Sequence, residues 1–434
     1  MDKMADVLGR AGAWCGQNKY LSAIKNAFQN FMPLTIAGAI GVLWCNVLVN
    51  ESTGLGMFFK PIMALDFLNP AFQAVNFCTI SCITVGITLG IAQEIGVWNM
   101  GAERAGYIPG LVGLAAWLSV TNTSHMVDGA KEAFTGIAGN ELGATGLFTG
   151  MIIGVLSVEL FCFFEKQDAL KIKMPEQVPP GVARAFEVLV PATITLIITA
   201  CIGSACYNLT GLYLNDVIKN GIQGPLGAVG ATIPGVMIIY LVIMLFWLVG
   251  IHGNNMLSAV KEALFTPLAL ENVEAFNKHQ TPKNIINMYA LQMWGEFGGS
   301  GVTIGLVIAI MIFGKREDNK AIATLSLVPG LFNINETVTF GIPMVLNPIL
   351  GIPFVFACLV TIIVGYVLTV IGFCPVACLT VPWTCPPIVF GFLACGANVM
   401  GAVTQAILIV VSTVIYVPFL ISYEKYQNKQ AAEA

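Results

Sequence analysis

The chain contains 434 residues, of which 56% are hydrophobic and 10% are charged, and its mean hydropathy is +0.80. Because a soluble domain carries about a quarter charged residues, this composition excludes an ordinary soluble globule and predicts a polytopic membrane protein. The formal net charge of −4 and the absence of a basic stripe with interleaved aromatic residues argue against nucleic acid as a partner. Residues 1–6 are polar, so we expect no cleaved secretory signal there.

Apolar runs long enough for helices recur along the chain, and no series of short alternating strands suggests a barrel. We therefore predict an all-α polytopic membrane protein with about ten transmembrane helices. The predicted spans are 28–48, 71–91, 108–120, 146–164, 186–207, 233–250, 256–275, one that ends at residue 314, 352–373 and 399–421. The seventh span is the weakest of these, because it contains Lys261 and Glu262.

Clusters of Lys and Arg predict which loops face the cytoplasm. They lie in the amino-terminal arm, after the fourth span, after the eighth span and at the carboxyl end. The residues are Lys3, Arg10, Lys19, Lys25, Lys166, Lys171, Lys173, Arg184, Lys315, Arg316, Lys320, Lys425 and Lys429. This pattern places both termini of a multi-pass plasma-membrane protein in the cytoplasm.

Two apolar stretches, 327–353 and 373–396, contain too many Pro and Gly residues for plain helices. Broken backbone at membrane depth is tolerated where protein or water satisfies its amides, and such segments commonly build the substrate sites of transporters. We interpret both stretches as re-entrant hairpins. Kinked full spans are the alternative.

The character of the chain changes near residues 208–230. We predict an amino-terminal scaffold half at 1–210 with five spans, an amphipathic connector at 211–229, and a carboxy-terminal transport half at 230–434. Within the connector, 212–219 can form a short helix on the membrane surface.

Two ionisable residues stand among amides and glycines in the transport half. His252 lies in Gly250–Asn255 (GIHGNN) and is followed by Asn254, whereas Glu336 lies in FNINE, residues 332–336. An ionisable side chain in lipid costs several kcal/mol or more, so it usually lines a functional polar cavity. The alternatives are a carboxylate that caps a half-helix and a histidine that bonds a neighbouring helix carbonyl.

Sugar recognition requires aromatic faces together with planar amides and carboxylates that match paired hydroxyls. The transport half offers both kinds of group. We predict sugar contacts from Asn254, Asn255, Asn333, Asn335, Trp247, Trp294, Glu296 and Trp383. Trp247 is equally typical of the aromatic belt at a membrane interface.

Motifs for autonomous catalysis are missing from the sequence, which has no Walker lysine loop, no GxSxG elbow and no HExxH. The twelve cysteines include no CxxC pair, and Cys374, Cys378 and Cys385 have no nearby histidine. We expect neither a metal site nor a cofactor.

Three motifs carry a family resemblance: PPGVARAF at 179–186, GIHGNN at 250–255 and FNINE at 332–336. Together with the predicted layout, they make the chain resemble the membrane IIC component of a bacterial phosphoenolpyruvate-dependent sugar phosphotransferase system. The resemblance is greatest to the lactose/cellobiose/diacetylchitobiose branch and covers essentially the whole chain. It implies a homodimer joined mainly by the amino-terminal half, with ten spans and two re-entrant hairpins in each subunit.

The resemblance also implies a function. Glu336 and His252 would lie near the sugar in the later half, and a reactive cysteine would belong to a IIB component. We expect that component to be a separate cytosolic polypeptide that carries a phosphocysteine. The chain would then be a permease for a β-linked disaccharide of the diacetylchitobiose or cellobiose type, not catalytic alone but the sugar-binding subunit of a phosphotransferase complex. A cation-coupled secondary transporter is the competing hypothesis.

Overall fold

A computed structural model describes residues 10, 14, 17–51, 55–125, 134–175, 177–225 and 230–433 of the chain. This part of the chain is mostly helical. Its helices are α1 Lys19–Leu43, α2 Asn69–Asn76, α3 Ile83–Met100, α4 Ala102–Ala105, α5 Ile108–Val120, α6 Gly139–Leu142, α7 Ala144–Glu165, α8 Pro180–Thr210, α9 Leu214–Ile218, α10 Ile233–Leu248, α11 Gly253–Met256, α12 Ser258–Asn277, α13 Met288–Gly295, α14 Ile304–Phe313, α15 Glu317–Leu331, α16 Glu336–Gly341, α17 Gly351–Val370, α18 Val389–Ala394 and α19 Val399–Glu433.

Shorter elements interrupt this series. Turns of 3-10 helix and single turns of π-helix occur at Trp44–Leu48, Leu55–Met57, Lys60–Leu68, Phe77–Ser81, Asp168–Leu170 and Lys219–Gln223. A minimal antiparallel pair joins β1, Ser124–His125, to β2, Phe134–Thr135.

The contacts divide the chain into two compact units. One comprises Gln17–Gly38 and Ala74–Ala228, and in it α3, α5, α7 and α8 pack on one another. Small residues let these helices approach closely, since a Cβ built on Gly113 would lie 2.3 Å from the Cβ of Ala92.

The resemblance motif PPGVARAF has a structural role in this unit. Its Arg184 donates to Glu165 and Glu187 at 2.9 Å each, and Arg104 contacts the same two carboxylates at 2.8 Å. Glu165 is buried at the end of α7. Because a buried carboxylate requires paired charges, the two arginines stabilise the start of α8 against the end of α7.

The predicted span at 71–91 contains a bend, and its crossing of the membrane stays a prediction. A π-helical turn at Phe77–Ser81 ends one helical segment, Lys60–Ser81, and the next segment, Ile83–Met100, is bent from it by 42°. The Thr79 hydroxyl donates to the Val75 carbonyl at 2.6 Å and thereby competes with the regular helical bond. The bend is consistent with this local competition.

The other unit comprises Met1–Gly16, Ala39–Gln73 and Val229–Ala434. In it, α17 packs against α10, α13 and α19, and α14 packs against α19. Glycines again permit close contact, because a Cβ on Gly365 would lie 2.3 Å from the Trp294 ring. Residues 39–73 thus cluster with the later helices, and the predicted assignment of scaffold and transport roles to the two halves stays a prediction.

Both Pro- and Gly-rich stretches are interrupted in the structure. In the first, α15 ends at Leu331, the short helix α16 follows at Glu336–Gly341, and α17 begins at Gly351. In the second, residues 371–388 contain no helix and are followed by α18. Both stretches thus have the broken backbone that re-entrant hairpins require, and their re-entrant path stays a prediction.

Five helical stretches in the described residues are long and apolar enough to cross a membrane, or six if the bent pair counts as one span. The five are Lys19–Leu48, Ala144–Glu165, Pro180–Thr210, Gly351–Val370 and Val399–Glu433. Shorter apolar helices, α5, α10 and α14, occupy three other predicted spans. The count of ten spans stays a prediction. The predicted connector contains α9 and the π-turn Lys219–Gln223, and its residues 226–229 lie outside the described part.

Candidate functional site

His252 is fixed by the turn that follows α10. Gly250 has a positive φ of 81°, which turns the chain after the helix, and His252 then forms the N-cap of α11. The backbone N–H of Asn255 donates to His252 Nδ1 at 3.3 Å. Because Nδ1 accepts, a neutral imidazole carries its proton on Nε2. The ring also packs against Trp247, with centroids 4.5 Å apart.

Glu336 faces that Nε2. Its Oε1 lies 3.8 Å from His252 Nε2, and the side chains of Glu336 and His252 are 47% and 37% exposed. Glu336 is the first residue of α16, and among the described residues no backbone amide donates to its carboxylate. The geometry does not support the alternative interpretation as a helix cap. The structure therefore brings together the two ionisable residues that the sequence motifs single out.

The 3.8 Å separation has a chemical consequence. It exceeds hydrogen-bond length, so the two groups do not satisfy each other directly. One hydroxyl oxygen placed beside both atoms, off the line that joins them, can accept from Nε2–H and donate to the carboxylate within ordinary hydrogen-bond distances of about 2.8 Å. The pair is thus arranged to hold a polar hydrogen that belongs to a third molecule.

The glycine-rich segment Gly298–Gly301 holds the Glu336 motif in place. The Gly298 N–H donates to Asn333 Oδ1 at 2.6 Å, and Asn335 Nδ2 donates to the Ser300 carbonyl at 2.8 Å. Gly299 has a φ of 87°, and a Cβ there would lie 2.6 Å from the Asn335 Cβ. The loop therefore requires glycine both for its backbone and for this close approach.

The predicted amides are mostly engaged within the protein. Asn254 Nδ2 donates to Ser300 Oγ at 2.9 Å, and Asn333 Nδ2 donates to the backbone carbonyls of Trp383 and Cys385. Asn335 is buried. Asn255 is exposed. These contacts indicate that Asn254, Asn333 and Asn335 hold the site in shape, whereas the side chain of Asn255 stays exposed.

The three predicted stacking residues differ in exposure. Trp247 and Trp294 are 2% and 1% exposed, and Trp294 packs edge-to-face against Tyr366. Trp383 is 44% exposed, and its carbonyl is held by Asn333 next to the Glu336 motif. A stacking platform needs a free aromatic face. In this conformation Trp383 offers one, whereas Trp247 supports the His252 ring.

Glu296 is held by residues that the sequence reasoning did not assign to the site. Its Oε1 contacts Lys261 Nζ and accepts from the Tyr240 hydroxyl at 2.6 Å. Lys261 and Ser300 are buried. The sequence does contain a signal for Lys261, because a lysine inside a predicted membrane span is itself a candidate functional residue. The same lysine makes the seventh predicted span the weakest.

Metal binding has no support in the described residues, where no group of three or more His, Cys, Asp or Glu residues is arranged to hold an ion.

Comparison with known proteins agrees with these motifs. Residues 25–358 match the family described as "Phosphotransferase system, EIIC". The chain belongs to this EIIC family. The match includes both the His252 and the Glu336 motifs, and it confirms the resemblance found in the sequence.

Three relatives show which members of the EIIC family this chain is similar to. It is 32% identical to the oligo-beta-mannoside-specific EIIC component of Bacillus subtilis strain 168, over 98% of this chain and 94% of the relative. It is 29% identical to the cellobiose-specific EIIC component of Lactococcus lactis subsp. lactis strain IL1403, over 98% of each. The crystal structure of ChbC, the IIC component from the N,N'-diacetylchitobiose-specific phosphotransferase system, matches with a TM-score of 0.88 at 29% identity, over 97% of each chain.

The protein is therefore a sugar permease component of the phosphotransferase system, in the group that includes the cellobiose and chitobiose proteins. Its family and its apolar helices make it a multi-pass bacterial membrane protein. Components of this kind work with a sugar substrate and a IIB partner.

Proposed function

We propose that this EIIC protein binds a β-linked disaccharide of the diacetylchitobiose or cellobiose type, moves it inward, and presents its primary hydroxyl for phosphorylation. The phosphoryl donor is a cytosolic IIB protein that carries a phosphocysteine. The relatives named for cellobiose, N,N'-diacetylchitobiose and oligo-beta-mannoside support the β-linked class of sugar.

The observation that carries the proposal is the exposed pair of His252 and Glu336 with a gap of 3.8 Å. In the proposed complex, the primary hydroxyl lies beside both groups, within hydrogen-bond distance of each. It accepts a hydrogen bond from His252 Nε2 and donates one to Glu336. Trp383 supplies the exposed aromatic face for a sugar ring. The amides of Asn254, Asn333 and Asn335, which bond other parts of the protein, hold these three groups in position.

The proposed reaction needs little further chemistry from this chain. The hydroxyl oxygen forms a bond to phosphorus while the S–P bond of the phosphocysteine breaks, and the cysteine thiolate leaves on the IIB protein. The hydroxyl proton passes to the Glu336 carboxylate. Phosphoryl transfer depends mostly on alignment and charge stabilisation, and the Nε2–H of His252 would also offset charge on the arriving phosphoryl group. The sugar phosphate is too charged to leave through the membrane.

The transport cycle is part of the same proposal. Both termini face the cytoplasm, the protein is a homodimer joined through its amino-terminal half, and the carboxy-terminal half moves to expose the sugar inward. The positive charges at the loop positions given above support the orientation.

Uptake by membrane vesicles tests the proposed function against cation-coupled transport. Vesicles loaded with the IIB protein and its phosphoryl donors are given labelled cellobiose, lactose, diacetylchitobiose or β-mannobiose. We expect one of these sugars to accumulate as its phosphate, with no need for a proton or sodium gradient. Accumulation of unmodified sugar that collapses with an ionophore would instead establish the competing mechanism.

Replacing His252 by asparagine should weaken sugar binding about tenfold, because one hydrogen bond to the hydroxyl is lost. Asparagine is among the best N-cap residues, so it can keep an acceptor for the Asn255 N–H while it removes the Nε2 that faces Glu336. Titration calorimetry on the purified protein measures the change. The matched control is His279→Asn, at an exposed position where the backbone φ of 55° suits asparagine. Equal affinity for wild type and H252N would remove His252 from the sugar site.

Replacing Trp383 by alanine should also lower sugar affinity about tenfold, since an aromatic contact of this kind is worth about 1 kcal/mol beyond the area that it buries. Trp98 gives a control, because it is 57% exposed and lies on α3 in the other unit. We expect W98A to bind sugar as the wild type does. If W383A binds as tightly as W98A, the aromatic platform lies elsewhere.

A further inference from the structure

Lys261 is unusual in its surroundings. Among the described residues, the buried charged side chains are Glu165, Lys261 and Glu424, so Lys261 is the one cation in that group. It lies in the first turn of α12, a few residues after the His252 motif. A buried charge is costly unless it is paired and hydrogen-bonded, so the presence of Lys261 there points to a role.

The partners of Lys261 form a small polar cluster, which we call the lysine cluster: Lys261, Glu296, Tyr240, Asn254 and Ser300. The ammonium contacts Glu296 Oε1 and donates to Asn254 Oδ1 at 3.4 Å. It also lies over the Tyr240 ring, 5.4 Å from the centroid, and the Tyr240 hydroxyl donates to the same Glu296 oxygen. Asn254 and Tyr240 therefore hold the Lys261–Glu296 charge pair in place.

The lysine cluster connects to both halves of the His252–Glu336 pair. On one side, Asn254 belongs to α11, whose N-cap is His252. On the other side, Asn254 donates to Ser300 Oγ, and the Ser300 carbonyl accepts from Asn335, the neighbour of Glu336. Ser300 thus joins the segment that carries the His252 imidazole to the segment that carries the Glu336 carboxylate. The buried Lys261 ammonium bonds Asn254 in the first of these segments.

We propose that Lys261 is a positioning residue for phosphorylation of the bound sugar. By joining Glu296 to Asn254, it sets the separation of His252 and Glu336 across the hydroxyl that lies between them. This inference rests on the function proposed above and adds a residue to it. Lys261 does not touch the sugar in this arrangement, so its loss should impair turnover more than affinity.

The test uses a charge-neutral double variant, Lys261→Met with Glu296→Gln, compared with the two single variants. Each single variant leaves one charge of this poorly exposed pair without its counter-ion, so its thermal midpoint in detergent should fall well below that of wild type. The double variant removes both charges and should recover most of that loss. If the cluster positions the site, sugar phosphate formation at saturating sugar stays at least tenfold below wild type, while affinity for the same disaccharide panel changes less than threefold.

Glu424→Gln is the matched control for the loss of a buried carboxylate. Glu424 accepts the backbone N–H groups of Lys315 and Arg316, and none of its contacts involves the lysine cluster. This variant should lose thermal stability and keep wild-type turnover per folded molecule. If the double variant does not fold, Lys261→Arg gives the same test, because it keeps the charge but loses the compact ammonium. Its turnover should fall at least threefold at unchanged affinity.

The outcomes are distinct. Wild-type turnover in the folded double variant, or in K261R when that variant is used, would show that Lys261 and Glu296 only neutralise each other's charge. The proposal would then be wrong. A tenfold loss of affinity at unchanged turnover would make Lys261 a direct sugar contact, which also overturns it. If wild-type vesicles form no sugar phosphate at all, the function proposed above fails instead.

Discussion

Glu336→Gln is expected to lower the rate of sugar phosphate formation by at least about 100-fold, because general-base catalysis typically contributes 100-fold to 10,000-fold. Glutamine keeps the shape of the side chain and can still accept a hydrogen bond from the sugar hydroxyl, but it cannot take up the proton. Sugar affinity should therefore fall by no more than about tenfold, which is the scale of one hydrogen bond. The rate is measured in vesicles with an excess of the phosphorylated IIB protein, and the affinity on purified protein.

Glu274→Gln is a suitable control for that experiment. Its side chain is 41% exposed, close to the 47% of Glu336, and it pairs with Lys278 on its own helix. A surface pair of this kind contributes little, so we expect wild-type binding and phosphorylation. If E336Q forms sugar phosphate as fast as E274Q does, the carboxylate has no part in the reaction and the proposed mechanism is wrong.

The fold could be predicted from the sequence wherever the signal is local. Long apolar runs predict membrane helices, and the Pro and Gly residues of 327–353 and 373–396 predict breaks that the structure contains. The predicted span at 71–91 contains a bend that the pattern does not predict, close to a hydroxyl that bonds a carbonyl four residues earlier. Threonine makes that bond in some helices without breaking them. Sequence pattern alone does not distinguish the two cases.

The candidate site, too, could be predicted from the sequence only in part. His252 and Glu336 could be singled out because ionisable residues among amides are rare in an apolar chain. The hydrogen-bond partners of the surrounding amides could not be predicted. Asn254 bonds Ser300, which is 46 residues away, and Asn335 bonds the same serine across 35 residues. Such pairings follow from how α11, the glycine-rich segment and α16 pack together, and an asparagine that contacts sugar looks the same in sequence as one that bonds protein.

This packing leads to a prediction with a large effect, the loss of sugar binding in Gly299→Ala. The new methyl group would lie 2.6 Å from the Asn335 Cβ, closer than carbon atoms approach without a shift of one backbone, and φ at this position is 87°. Left-handed backbone in a residue with a side chain costs about 1–3 kcal/mol, and overpacking of a tight contact typically adds about 1–3 kcal/mol. The segment that carries Asn333, Asn335 and Glu336 should move away from His252 and take Trp383 with it, because Asn333 holds the Trp383 carbonyl. Two sugar contacts of about tenfold each are then lost, so affinity should fall about 100-fold, which corresponds to about 2.8 kcal/mol.

Gly372→Ala separates the effect of backbone strain from the effect of the close contact with Asn335. Gly372 has a φ of 78°, so alanine meets the same backbone strain there, but a Cβ at Gly372 has no atom within 4 Å. We expect G372A to lose some thermal stability and to bind sugar normally, whereas G299A loses both. The comparison requires only thermal shift and calorimetry on the two purified variants. If G299A binds sugar as G372A does, contact between the glycine-rich segment and Asn335 does not control the position of Glu336. The role assigned to Lys261 also depends on this segment, because Asn254 and Asn335 both bond Ser300, and it would then lose its structural basis.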